Sequence, residues 1–500
     1  MKLPPSLLAA LLGGVSVAAF APLEVFALPV LTLALLFHLW QGAASPRAAA
    51  WLGFAWGMGF FLTGVSWVYV SLHDVGGLAA PLAAIATLLF CGVLTLFPML
   101  AAYLFRRFMR ASYSRNALLL AGAWTFTEWL RGTVFTGFPW LALGYSQTPP
   151  SPLAGYAAVL GVYGVSFLTA LIAATLAMGV RRRATWLLIT ALLGGGMVLR
   201  GMDWTQPVGT PVSVSLLQGN IPQSLKWEPE HLLLSIETYL RLVKENPATL
   251  TVLPETAIPL FISELPYDIR KELTRNGDTL IGIAVRHRDG GYVNGAVALP
   301  QVTKTAEPAV SPAPTLQSYA KRHLVPFGEY IPPGFAWFLE LVRIPMSDFS
   351  AGPATQAPLD IAGQQIAPNI CYEDLFGEEI IQSLPAATLL INLSNTAWFG
   401  DSLAQPQHLQ ISRLRALETG RMMLRATNTG ITAAIAPDGR VLAQLPAFTA
   451  GALRVEAQGF AGLTPYARWG NALALLVALL SVMYAVLPAL MDALRQRRSR

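Results

Sequence analysis

The sequence predicts a chain made of two materials: a polytopic α-helical membrane domain and a soluble domain of mixed strands and helices. Three observations predict this. Of 28 acidic residues, only Glu24, Asp74 and Glu128 precede residue 201. Apolar stretches of spanning length recur through the same region. From Asp203 to Glu456 the composition becomes that of an ordinary soluble domain, long enough to bury its own core. The whole chain is 54% hydrophobic and 12% charged, with a mean hydropathy of +0.50. That charge content is about half of the roughly 25% usual in soluble domains.

A membrane span needs about 17–25 mostly apolar residues. Such stretches run at Leu3–Ala21, Leu23–Trp40, Ala48–Val70, Leu78–Phe105, Ala117–Leu130, Tyr156–Val180, Ala184–Leu199 and Trp469–Leu490. The expected number of spans is therefore eight, seven of them in residues 1–200 and one at 469–490, with seven or six as the alternative counts. Only Pro22 separates the first two. The first stretch lacks a small-residue cleavage site and reads as a retained span, not a secretion signal.

Lysine and arginine placement sets the orientation. Lys2, Arg47, the group Arg106, Arg107, Arg110 and Arg115, the triplet Arg181–Arg183, and the tail Arg495, Arg497, Arg498 and Arg500 all fall on one side of an eight-span chain. That side is the cytoplasm. Arg131 is the exception, and Glu128 three residues earlier is placed to pair with it. The soluble domain, residues 210–458, then lies outside the cytoplasm. The same clustering argues against nucleic acid as the reason for the net charge of +6.

Within the soluble domain, Val212–Gln218 alternates as a strand does, and Glu228–Lys244 carries helical spacing at Leu233, Ile236, Leu240 and Val243. Thr249–Leu253, Thr279–Val285, Tyr292–Leu299, Ile366–Cys371, Thr388–Leu393 and Ile431–Ala436 read as strands. Asp289-Gly290-Gly291 reads as a hairpin turn. His408–Arg421 reads as a helix, and Pro300–Pro314 as a surface loop. Strands and helices in this order predict an α/β or α+β arrangement with helices covering sheets.

The chain has two cysteines, too few for a disulfide framework. Cys91 falls inside an apolar span. Cys371 ends an apolar run, in Ala367-Pro-Asn-Ile-Cys-Tyr-Glu-Asp374. Glu255 and Lys321 also stand at strand ends or in adjoining loops. Chemically the three make a complete set. A carboxylate can deprotonate a thiol, which is a weak nucleophile until then. An ammonium lowers a thiol's pKa and stabilises the oxyanion of a tetrahedral intermediate. The backbone N–H of Tyr372 is a second oxyanion donor. Plainer readings stand beside this one: a buried apolar cysteine, a helix-starting glutamate, and a solvated Lys321-Arg322-His323 patch. His323 or His408 could also serve a Cys-His protease. The six histidines show no metal-ligand spacing, so no metal site is expected.

Longer motifs surround all three residues. Thr251-Val-Leu-Pro-Glu-Thr-Ala-Ile-Pro259, Tyr319-Ala-Lys-Arg-His-Leu-Val-Pro-Phe-Gly-Glu-Tyr-Ile-Pro332 and Ile370-Cys-Tyr-Glu373 resemble the glutamate, lysine and cysteine motifs of the nitrilase (carbon–nitrogen hydrolase) superfamily. Gln218–Trp227, Ser394–Gly400 and Phe138-Pro-Trp140 bring the resemblance to one branch, the bacterial apolipoprotein N-acyltransferases. It covers essentially the whole chain and implies an αββα sandwich for the soluble domain.

The resemblance implies that an acyl chain passes from a phospholipid, with phosphatidylethanolamine the expected donor, to the N-terminal amine of a diacylglyceryl-cysteine apolipoprotein. Glu255 would be the base, Lys321 the oxyanion stabiliser and Cys371 the nucleophile that carries the acyl group. Glu329 and Glu373 match further family positions that orient the lysine or amine. Tyr372, Trp227 and Trp398 would line the pocket, and Trp140 would sit on a loop near its entrance. No cofactor is implied. The expected setting is the bacterial inner membrane, with the catalytic domain in the periplasm and the protein a monomer. A membrane-tethered amidase or nitrilase is the alternative activity for the same three residues.

Overall fold

The computed structural model describes residues 3–222, 229–286, 290–302, 316–332, 334 and 348–498. The chain divides into two compact units. One holds Met1–Tyr69, Ala80–Met202 and Pro465–Arg500, and the other holds Val70–Ala79 and Asp203–Thr464.

The first unit is helical. Its main helices are Pro5–Ser16, Leu28–Gly42, Pro46–Gly64, Ala80–Phe108, Tyr113–Arg131, Ala157–Gly179, Arg183–Arg200 and Ala472–Arg498. A helix coincides with each of the eight expected spans. Among the described residues, however, two helices, Ala80–Phe108 and Pro152–Gly179, are by length and composition long and apolar enough to cross a membrane, or three if the bent pair Pro46–Gly64 and Val68–Val75 is one span. Pro5–Ala19, Leu28–Gly42 and Ala472–Leu487 are apolar but shorter. In the first two, the helical path ends at Ala19 and the next helix begins only at Leu28. Small residues let the helices approach closely. A Cβ at Gly59 would lie 2.0 Å from the Ala10 carbonyl oxygen, so the helices Pro5–Ser16 and Pro46–Gly64 touch backbone to backbone there.

The second unit contains two six-stranded sheets. The strands in chain order are β1 Gln206–Gln218, β2 Leu250–Leu253, β3 Asp278–Arg286, β4 Tyr292–Leu299, β5 Ser318–Ala320, β6 Leu359–Ile361, β7 Gln364–Ile370, β8 Leu389–Ser394, β9 Met423–Thr427, β10 Ala433–Ile435, β11 Val441–Gln444 and β12 Gly451–Ala461. The first sheet has the order β12-β1-β2-β3-β4-β5 and the second β11-β10-β9-β8-β7-β6. Each has a parallel centre, β1-β2-β3 and β7-β8-β9, with antiparallel strands outside it.

One apolar core joins the inner faces of both sheets, with Val214, Leu216, Val252 and Leu280 from one and Ile366, Ile370, Ile391 and Leu424 from the other. A second core packs the helices Pro229–Glu245 and Tyr267–Leu273 on the first sheet through Ile236, Tyr239, Leu242, Val243 and Leu273. A third packs the helix Ala404–Thr419 on the second sheet through Leu409 and Ala416. Three cores between four layers make an αββα sandwich. Each fully buried Leu, Ile or Val contributes about 1.5–3 kcal/mol by leaving water.

Every strand read from the sequence is present, with ends shifted by a few residues. β1 starts six residues earlier than its alternating part, because Gln206–Pro211 are exposed and carry no periodic signal. Pro368 sits inside β7, where proline is normally excluded. It is tolerated because β6 pairs only with Gln364–Ile366, leaving the next positions of that edge unpaired. The hairpin joins β3 to β4 in the register Arg286↔Tyr292, although Asp289 of its turn lies outside the described residues. So does most of the Pro300–Pro314 loop. β5, β6, β9, β11 and β12 have no strand signal in the sequence, being short or irregular in pattern.

Candidate active site

The parallel centres aim the ends of several strands at one place. Glu255 follows β2, Lys321 follows β5 and Cys371 follows β7 directly. Carboxyl ends of parallel strands are where α/β folds hold their ligands, because the chain turns there and side chains are free of the ladder.

Lys321 is 1% exposed, and its Nζ donates to Glu329 Oε1 at 2.7 Å and to Glu255 Oε1 at 3.3 Å. Asn294 on β4 donates its Nδ2 to the same two oxygens, at 2.7 Å to Glu255 and 3.0 Å to Glu329. Its carbonyl accepts the Lys321 N–H at 2.7 Å, so β4 places both ends of the lysine. The other Glu255 oxygen accepts the backbone N–H of Asn395 at 2.8 Å, just past the end of β8. Burial opposes the Lys321 charge, but Glu255 and Glu329 outweigh it and hold the ammonium above its ordinary range.

Cys371 is 7% exposed and takes a left-handed backbone, φ +54°. A non-glycine residue in that region costs about 1–3 kcal/mol and persists only where its surroundings enforce it. The turn throws the thiol off the line of β7. The charges of Glu255, Lys321 and Glu329 all reach it. Burial, then Glu255, push the thiol well above its ordinary value, and Lys321 only partly offsets them. Together these effects favour the protonated thiol. Both cysteines are free.

Glu373 binds the cysteine turn to the lysine segment. Its Oε2 accepts the Ile370 N–H at 2.6 Å. Its Oε1 accepts the N–H groups of Arg322 at 2.7 Å and His323 at 3.1 Å, and the Tyr319 hydroxyl at 2.9 Å. Burial nevertheless pushes its carboxyl up to about 7, against the three backbone N–H donors and the Lys321 charge. The Glu329 carboxylate is fixed in turn by the Val325 N–H at 2.9 Å.

The aromatic positions fall in different places. Tyr372 is buried beside His323 and Phe376. Trp398 is partly exposed, and its carbonyl accepts the Ser71 hydroxyl at 2.8 Å. Trp140 belongs to the helical unit. It is 1% exposed against Trp67, with ring centroids 4.9 Å apart. Contact with a substrate would require that packing to open. Trp227 lies outside the described residues. Sequence reasoning missed Asn294, whose signal was only a polar residue in the middle of an apolar strand. Among the described residues, no group of three His, Cys, Asp or Glu side chains is arranged to hold a metal ion.

Known proteins carry the same combination of parts. The apolipoprotein N-acyltransferase N-terminal domain model matches residues 12–175, and the carbon-nitrogen hydrolase model matches residues 213–466. An apolipoprotein N-acyltransferase from Nitrosomonas europaea is 52% identical over 92% of this chain and 93% of its own. The chain belongs to the apolipoprotein N-acyltransferase family. Relatives of the same name from Chromobacterium violaceum and Ralstonia nicotianae are 49% and 46% identical, over 93% and 96% of this chain and 90% and 92% of theirs. Among solved structures, an amidase of the nitrilase superfamily from Nesterenkonia AN1 aligns with 52% of this chain and 95% of its own, at a TM-score of 0.36 and 19% identity. The two family models fall on the two parts seen here, the first on the helical region and the second on the sandwich.

Proposed function

We propose that the chain N-acylates apolipoproteins from a phospholipid donor through a thioester on Cys371. The observation that carries this reading is the buried lysine shared by Glu255 and Glu329, with its charge and theirs reaching a buried thiol on a left-handed turn.

Glu255 takes the thiol proton as Cys371 Sγ attacks the ester carbonyl of the phospholipid. The Lys321 ammonium has three donors, two of them spent on carboxylates. The third, with the Tyr372 N–H, serves the tetrahedral oxyanion. Collapse breaks the ester C–O bond, and Glu255 returns its proton to the departing lysophospholipid alkoxide. The α-amine of a diacylglyceryl-cysteine then attacks the thioester. Glu255 removes the amine proton, and the thiolate leaves and is reprotonated. Asn294 and Asn395 keep the Glu255 oxygens aimed throughout. Glu329 orients the lysine, Glu373 holds the two loops in register, and Trp398 lines the approach. The reaction needs no redox or metal chemistry, since both bonds exchanged are acyl bonds.

The cluster of basic residues at one end of each helix pair supports a multi-pass arrangement in the bacterial inner membrane with the sandwich in the periplasm. We take the working unit to be a monomer. Incubation with acyl-labelled phosphatidylethanolamine should give a hydroxylamine-sensitive adduct on Cys371 that a diacylglyceryl peptide amine discharges. A Cys371→Ser variant that still forms such an adduct would remove the nucleophile assignment. If water discharges the adduct as readily as the amine, the chain is a hydrolase.

A further inference from the structure

A second buried cluster lies behind the cysteine turn, and no step above uses it. Asp374 is the fourth residue of the turn Cys371–Leu375 and is fully buried. Its Oδ1 accepts His408 Nε2 at 2.8 Å, and its Oδ2 accepts Arg425 Nη1 at 2.8 Å and the Ser412 hydroxyl. His408 and Ser412 are one helical turn apart on the helix Ala404–Thr419, and Arg425 is in the middle of β9. The turn is therefore bolted to two different layers of the sandwich. The Cys371 carbonyl itself accepts Asn392 Nδ2 at 3.1 Å.

The grouping of serine, histidine and aspartate is not a catalytic triad. Ser412 donates to Asp374 and not to the imidazole, and all four side chains are at most 1% exposed. They cannot touch a substrate. Burial opposes the Asp374 charge, yet His408 and Arg425 outweigh it and keep the carboxyl below its usual range. An ionised carboxylate with donors on two sides is a rigid post, and it stands three residues from a backbone angle that needs enforcement.

We propose that Asp374, His408, Ser412 and Arg425 are positioning residues that pin the Cys371 turn in its left-handed conformation and so aim both the thiol and the Tyr372 N–H. The inference rests on Cys371 being the nucleophile. An Asp374→Asn variant keeps the shape and loses the charge. Misplacing a reacting group by about 1 Å costs on the order of 100-fold in rate. Asp374→Asn should therefore lower kcat for thioester formation by about 10- to 100-fold with KM for the phospholipid within about twofold. Alkylation of Cys371 by iodoacetamide, read by peptide mass spectrometry, should be no slower than in the wild type, because the Asp374 charge helps keep the thiol protonated. A purely structural role would instead lower kcat only in proportion to the loss of folded protein, with the rate per folded molecule unchanged.

If Asp374→Asn does not fold, Ser412→Ala removes one neutral donor and should lower kcat about three- to tenfold at unchanged KM. The proposal is overturned if whichever variant folds keeps kcat within about twofold of the wild type. It is equally overturned if kcat falls only in proportion to lost folded protein. Acyl transfer by Cys371→Ser would instead overturn the nucleophile reading, which separates the two failures.

Discussion

Glu373 accepts the backbone N–H of Arg322 at 2.7 Å, so the residue two past the cysteine is tied to the residue one past the lysine. The two loops leave different sheets, and this buried carboxyl is what fixes their spacing. Its protonation should therefore be visible in both stability and rate.

Burial raises the Glu373 carboxyl from 4.5 to about 7, so the folded protein binds this proton more tightly than the unfolded chain. The stabilisation is complete below pH 4.5 and is lost as pH rises through about 7. Its size is on the order of 3 kcal/mol. The anion is the form that accepts all four donors, so acylation should rise over the same interval. Glu373→Gln should flatten this part of both profiles, measured by thermal unfolding and by initial rates from pH 5 to about 9.

Glu255 acts on the thiol in two opposed ways. It is the proposed base, and its charge raises the thiol pKa. Glu255→Gln should abolish acyl transfer while lowering the pH midpoint for Cys371 alkylation by iodoacetamide, since Lys321 then faces the thiol with one fewer carboxylate. An alkylation midpoint that rises in this variant would contradict the assigned electrostatics.

Lys321 neutralises two carboxylates that share one amide donor on Asn294. Removing one partner of a buried pair costs about 3–5 kcal/mol. Lys321→Ala should lower the melting temperature accordingly, and adding Glu329→Gln should recover part of the loss by removing one stranded charge. Neither variant should transfer acyl groups. A double variant no more stable than the single would show that the carboxylates do not repel through this site.

Gly282 on β3 has no room for a side chain: a Cβ there would lie 2.4 Å from the Pro254 carbonyl oxygen and 2.6 Å from Glu255 Cα. Gly282→Ala should cost about 1–3 kcal/mol by overpacking. Because the clash falls on the backbone of the proposed base, kcat should drop by about 100-fold, beyond what lost stability explains. The comparison of melting temperature with single-turnover rate checks it.

Much of the site was legible because its chemistry is written in contiguous motifs. Glu255, Lys321, Glu329, Cys371 and Glu373 each sit in a recognisable local run, and Glu255, Lys321 and Cys371 also stand at strand ends or in adjoining loops. Asn294, Asn395, Asp374 and Arg425 were not legible as site residues. A polar side chain inside an apolar strand, or a carboxylate after a cysteine, has no local signature of its partners. Their roles depend on contacts with residues distant in sequence, such as Asn294 with Glu329 and Asn395 with Glu255.

Residue types, their spacing and the distribution of charge determined the two materials of this chain, its family and the three reactive groups. Hydrophobic period and net charge act locally, so they survive in one dimension. The tertiary structure decided that one lysine is shared by two carboxylates, that the thiol is buried among their charges, and that its turn is left-handed with Asp374 held by His408, Ser412 and Arg425 behind it. These are consequences of burial and of Coulomb interactions across layers, which exist only once the sheets have packed.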